Sequence, residues 1–346
     1  MTAAALARRE ARRRLRVQRG LTWVTWRQHR LGLAGVLGAF GGLGLYMLIN
    51  GLAVHHAFTN LGLSTCGGLS SAGCQTQLSG FEQQYSSTAD HLPHFLMLLP
   101  GLIGVFIGAP LVAREFESGT FRFVWTQGRS RVQWIVTKLV LLGMVLALST
   151  LGFSALFTWW YGPFNAISGR MTAYGAYEVS GLVFAARTLF GFALGALLGL
   201  LIRRVVPAMV ATGIGWITVM WVTMTYLRPS IRPPITIIGR QGKGPIPTDG
   251  ALPFNADIVH NWMQDAAGHH VAYEQVINQA IAANGGNPPS PQGLDAWMAQ
   301  QHYSQWVSYL PNNWFWHFQT TEATGYFVVA IVLAVVTVLA LRRRVI

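Results

Sequence analysis

The chain has 346 residues, 52% of them apolar types, only 11% charged, with 38 glycines. A soluble chain carries about 25% charged residues and a disordered chain is polar and highly charged, so the composition argues against both classes. The balance is basic, 25 Lys+Arg against 12 Asp+Glu. Because the basic residues sit between apolar stretches rather than on one soluble face, they point to a bilayer and not to nucleic acid.

The first thirty residues divide at Gly20. Residues 3–19 are helix-compatible and charged nearly all round, a solvated tail attracted to anionic lipid. In the stretch that follows, Trp23 and Trp26 share a helical face with Arg27 and Arg30. Indoles favour the headgroup level and arginines the lipid surface, so this stretch reads as an interfacial elbow helix feeding the first span.

A spanning helix needs about 20 mostly apolar residues. Six segments qualify: Leu31–Val54, Phe95–Ala113, Trp134–Trp160, Gly181–Ile202, Val205–Leu227 and Ala323–Leu341. Span one is glycine-rich, and span four carries Gly191, Gly195 and Gly199, a double G-x-x-x-G. Small residues four apart let helices approach closely, either within one subunit or between two. The first apolar run is too long for a signal-peptide core and reads as a retained span.

Nineteen basic residues fall on one side: nine in the N-terminal tail, five from Arg114 to Lys138, Arg203 and Arg204 in the tight hairpin between spans four and five, and three at the C-terminus. The positive-inside rule therefore expects both termini in the cytoplasm of a bacterial-type plasma membrane. Two segments would then lie outside. The first, residues 55–94, is a polar loop holding Cys66 and Cys74, which are expected to pair in an oxidising compartment. The second, residues 228–322, opens with a proline-rich stretch. Helical patterns follow over residues 256–283 and from Ser290-Pro291 to Leu310, predicting a small helical cap and no sheet. Trp314, Phe315, Trp316 and Phe318 read as an outer aromatic belt. The fold class is thus all-α: a polytopic membrane protein with six transmembrane helices, an elbow helix and a helical cap.

Catalytic signals are missing. Gly242-Lys243-Gly244 lacks the hydroxyl residue of a phosphate-binding loop, and no H-E-x-x-H, G-x-S-x-G or C-x-x-C occurs. Nine of ten histidines fall on the outer side in spacings unsuited to chelation, so no metal site is expected. Span interiors are almost charge-free beyond their first turns, and Arg187 is the exception. It fits a pathway residue facing protein or water, or a side chain snorkelling to headgroups. No acidic residue lies within the six segments to pair with it.

The loop after span two mixes both signs of charge with aromatics: Arg114-Glu115-Phe116-Glu117-Ser118-Gly119-Thr120-Phe121-Arg122-Phe123. A helix leaving the membrane would stop at Gly119, and Ser130-x-x-Gln133 resembles a capping box opening span three. The aromatics suit either lipid or the groove of a cytosolic partner. The string REFESGT, the preceding Trp26-Arg27-Gln28-His29-Arg30, the later Trp125-Thr126-Gln127 and the run from Phe315 to Glu322 together resemble ABC-2 type permease subunits of ABC exporters. That resemblance implies a transmembrane half paired with a second copy and with two copies of an ATP-binding subunit. ATP and Mg2+ would belong to that partner, with no cofactor in this chain. Residues 114–123 would form the coupling helix that contacts it. The cargo expected is a hydrophobic or amphiphilic small molecule or a short peptide. A membrane receptor or regulatory anchor without transport is the alternative, and an intramembrane enzyme finds no catalytic constellation to support it.

Overall fold

In the computed structural model, residues 3–63, 72–119, 130–171, 175–238 and 256–343 are described. Among these described residues, six helical stretches are long and apolar enough to span a bilayer: Arg30–Asn60, Thr76–Glu117, Arg131–Trp160, Val183–Ile202, Val205–Ile231 and Asn312–Arg343. All six expected spans are present, in an all-α membrane body.

The first helix, α1 (Ala3–Asn60), runs without a break for 58 residues. At 1.5 Å per residue this is about 87 Å, far more than a bilayer core. The expected elbow is therefore not a separate helix. Gly20 costs only about 1 kcal/mol in a helix, and no proline follows to stop it. Trp23 and Trp26 are nonetheless exposed, and the Arg27 guanidinium lies 5.3 Å from the Trp23 ring. The segment read as a polar outer loop is also largely helical. Its second half forms α2 (Ala72–Leu96), which reaches Pro93 and continues, after a turn, into α3 (Leu99–Ile103), a π-helical turn (Gly104–Gly108) and α4 (Ala109–Glu117). Cys74 lies in the first turn of α2, while Cys66 lies outside the described residues.

Span three is α5 (Arg131–Trp160), opened by Ser130, whose side chain accepts from the Gln133 backbone N–H at 3.1 Å. A short α6 (Gly162–Ser168) and α7 (Ala176–Val179) follow on the far side. Spans four and five are α8 (Val183–Ile202) and α9 (Val205–Val222), joined through Arg203 in left-handed conformation at φ 61°. A second π-helical turn (Thr223–Leu227) and α10 (Arg228–Ile231) lead into the cap.

Helix α8 is the hub: 67% of its apolar window is buried, against 22% for spans one, five and six. Its glycine face explains how. A β-carbon at Gly104 would stand 2.6 Å from the Gly191 carbonyl oxygen, and one at Gly108 2.6 Å from that of Phe192. Gly195 faces the Gly104 carbonyl and the Ala109 backbone, and Gly199 the Ala109 carbonyl, more closely still. The double G-x-x-x-G therefore packs span four on span two within this chain, where both backbones gain dispersion contact. The rest of the core joins α1, α5 and α8 through Phe40, Phe153 and Phe184. Leu45, Phe106, Met144, Leu148, Val210, Ile214 and Val332 point outward, as lipid-facing residues must.

The cap departs from expectation. It holds a four-stranded antiparallel sheet, in order β1-β4-β2-β3, built from β1 (Ile235–Ile238), β2 (Asp257–Gln264), β3 (His270–Val271) and β4 (Ser304–Leu310). Among its described residues, the helices between β3 and β4 are α11 (Tyr273–Ala283) and α12 (Pro291–Gln300). Residues 257–264 and 304–310 are rich in Ile, Val, Trp and Tyr, which favour a pleated surface. Gly268 at φ 86° allows the turn from β2 to β3, and Trp262 stacks on its cross-strand neighbour Trp306. Span six is α13 (Phe315–Arg343). The aromatic belt is only partly such: Phe315 and Phe318 are buried and Trp316 alone of the α13 aromatics before Glu322 faces out.

Candidate functional site

Two constellations stand out, one at each end of the helical body. At the end shared with the start of span one, α4 stops as expected. Ser118 is its C-cap, and Gly119 follows at φ 72°, donating to the Phe116 carbonyl at 3.4 Å. The last turn of α4 fastens three other elements. Glu115 forms an ion pair with Lys138 of α5, whose side chain is fully buried and whose ammonium also lies 4.6 Å from the Trp134 ring. Glu117 accepts from the Val205 backbone N–H at 2.9 Å, capping the N-terminus of α9. The Arg203 guanidinium sits 5.6 Å from the Phe116 ring. The charges of this motif thus serve intramolecular joints first. Lys138, counted above as a loop cation, is an interior one. Arg114 remains exposed. Thr120, Phe121, Arg122 and Phe123 lie outside the described residues.

At the opposite end, Arg187 is buried and forms an ion pair with Glu322 of α13. This overturns the snorkelling reading, because the guanidinium has a carboxylate at hand inside the protein. Around this pair a neutral cluster closes. Arg228 reaches Glu178 at 2.9 Å and Glu322 at 3.3 Å, and its guanidinium lies 4.2 Å over the Tyr177 ring. Tyr177 donates its hydroxyl to Glu322 at 3.2 Å. Its hydroxyl is pushed well above the ordinary range by burial and by the Glu322 charge. Two arginines and two glutamates balance, which is what a buried charge requires. The Arg187 Nε and Nη1 still lack a partner among the described residues.

Backbone bonds fix the segment carrying Tyr177 and Glu178. Gln319 of α13 accepts from the backbone N–H groups of Leu182 and Val183 at 3.0 Å each, and donates to the Tyr177 carbonyl at 3.0 Å. Ser154 of α5 lies within donor reach of the Val179 and Gly181 carbonyls, at 2.7 and 2.8 Å. Spans three to six thus meet on the short segment 177–183.

The profile of the ABC-2 membrane transporter related family matches residues 25–228, more than half of the chain. The chain belongs to that family. No curated protein and no solved structure matches it. It is a multi-pass membrane protein and a permease of an ABC transporter, a class that works with an ABC ATP-binding partner.

Residue-level reading missed most of the buried cluster. Glu322 lies one position outside the apolar run of span six, and Glu178 and Arg228 sit in stretches read as connections. The available signal was the Gln319-Thr320-Thr321-Glu322 run opening a span, since polar residues at the start of an apolar helix need partners.

Proposed function

We propose that this permease subunit exports a hydrophobic or amphiphilic small molecule or short peptide from a bacterial cell. It pairs with a second copy and two ATP-binding subunits, and both termini lie in the cytoplasm. The observation that carries this reading is the joint at the end of α4. One turn is tied to α5 through Glu115–Lys138, to the N-terminus of α9 through Glu117, and to the α8–α9 hairpin through Phe116–Arg203. A push on the residues after Gly119 would reach spans two to five with little slack. Two packings of the helices, biased by the partner's nucleotide state, then give alternating access.

The test is copurification from native membranes followed by reconstitution. A bound ATPase whose turnover rises with an amphiphilic cargo is expected. Glu117→Ala should keep the protein inserted yet lower that stimulation several-fold, and Phe121→Ala should weaken ATPase association. Normal association and stimulation in both variants would remove this joint as the transmission point. ATP turnover indifferent to every cargo would favour a receptor or regulatory anchor. On the outer side, Cys66 and Cys74 pair, and closing so short a loop stabilises by about 2–3 kcal/mol. Mass spectrometry of non-reduced digests should find the two peptides linked.

A further inference from the structure

The seam between α1 and span two carries two adjoining hollows. One, of about 560 Å³, is lined by residues that include Leu31, Gly32, Phe106, Ile107 and Arg114. The other, of about 140 Å³, is walled only by apolar side chains, among them Val36, Phe40 and Leu99, and shares Phe106 and Ile107 with the first. They join at the π-helical turn and follow α1 from Leu31 to Phe40, about 14 Å of helix. The seam is graded: hydrocarbon at its inner end, polar side chains at its mouth.

The mouth is cationic. Arg114 is exposed and makes no ion pair among the described residues, and Arg30, next to Leu31, is exposed as well. The carboxylate there, Glu115, is offset by Lys138. We infer that this seam binds an anionic phospholipid, one acyl chain along Phe106 and Ile107 and the phosphate at Arg114 and Arg30. Arginine matches phosphate in a fork geometry, and a chain of methylenes removes the apolar walls from water and from looser contact. The rival occupant, a second copy of this chain, would bring another arginine-rich tail to the same place, since a two-fold contact repeats the same patch on both partners. Like charge there favours the lipid. The inference rests on this geometry alone and not on the transport reading.

The full chain is purified in detergent and mixed with phosphatidylglycerol or phosphatidylcholine carrying a photoreactive acyl chain, and captured lipid is quantified by mass spectrometry. Capture of phosphatidylglycerol is expected to exceed phosphatidylcholine at least fivefold, with crosslinks on α1 between Leu31 and Phe40 or at Phe106. Gly32 has open space where a side chain would project, so Gly32→Trp fills the hollow without a backbone clash and should cut capture of both lipids several-fold. Arg114→Gln should abolish the preference while sparing phosphatidylcholine capture. Equal capture of both lipids by the unaltered chain overturns the proposal, as does unchanged capture by Gly32→Trp. Should Gly32→Trp instead split a dimer that captured no lipid at the seam, the occupant is the second copy and the lipid assignment falls.

Discussion

Arg187 and Glu322 illustrate how a charge survives inside an apolar body. Taking either ion out of water costs several kcal/mol, and the pair offsets this only while both partners stay in place. Glu322 also serves Tyr177 and Arg228, so its loss strands more groups than the loss of Arg187 does. Arg187→Gln is expected to destabilise by about 3–5 kcal/mol, and Glu322→Gln by at least as much. The double variant should cost less than the sum, because each change removes the charge that the other leaves unpaired. Thermal melts of the detergent-solubilised protein check this, and strictly additive losses would show that the pair is not coupled. Asp257, on β2 nearby, behaves differently. Burial pushes its carboxyl up to about 6, only partly opposed by Arg228. Since the folded value lies above the ordinary carboxylate value, the stabilising protonated form is fully present below about pH 4 and is lost as pH rises through about 6. The cap should therefore loosen between pH 4 and 7, and Asp257→Asn should abolish that dependence. Fluorescence of the stacked Trp262–Trp306 pair during melts at several pH values reads it directly.

At the scale of elements, close glycine contacts decide which helices touch. Gly195→Val would drive a β-carbon into the Gly104 carbonyl and the Ala109 backbone, where neither side can yield. The expected loss is at least about 1–3 kcal/mol. Gly35→Val meets nothing within 4 Å and should leave the melting temperature unchanged. Comparable losses for the two variants would mean that α8 does not pack on span two as described. The same contrast marks what was legible beforehand. Spans were legible because a run of some 20 apolar residues has few alternatives in a chain this poor in charge. The Gly119 stop, the Ser130 cap and the Ser290-Pro291 helix start were legible because each satisfies a named backbone group locally. The cap sheet was not. In β2 and β4 both strand faces carry large side chains, so a helical stripe can be drawn through them equally well. Pairing Asp257–Gln264 with Ser304–Leu310 needs contacts some 45 residues apart, which no local pattern contains. The partners of Arg187 were hidden for the same reason: Glu322 is far away in sequence and just beyond an apolar run.

Across the whole molecule, the charge asymmetry and the helix lengths make one joint statement about topology. The stretch Thr76–Glu117 spans 42 residues, about 63 Å of helix, roughly twice the hydrocarbon thickness. Its excess lies at the α2 end, because Glu115 and Glu117 already sit beside Lys138 and the α8–α9 hairpin. Residues 72–94 must therefore rise out of the bilayer on the side opposite the arginine-rich tail, together with the cap. No Lys or Arg lies between Arg30 and Arg114, whereas nine basic residues precede Leu31, so the positive-inside rule expects the tail side to face the cytoplasm. Ser87 and Ser130 are both exposed and occupy opposite ends of this arrangement. With Cys66 and Cys74 replaced by serine, Ser87→Cys should react with a membrane-impermeant maleimide in intact cells, and Ser130→Cys only after permeabilisation. The reverse pattern would invert the molecule. The buried charge cluster would then face the cytoplasm, and the α4 joint could not meet an ATPase. Reaction of both sites in intact cells would mean that the long α2–α4 stretch does not cross the bilayer once. Either outcome would break the link between the six-span body and the transport reading, so this labelling pair comes before any assay of cargo.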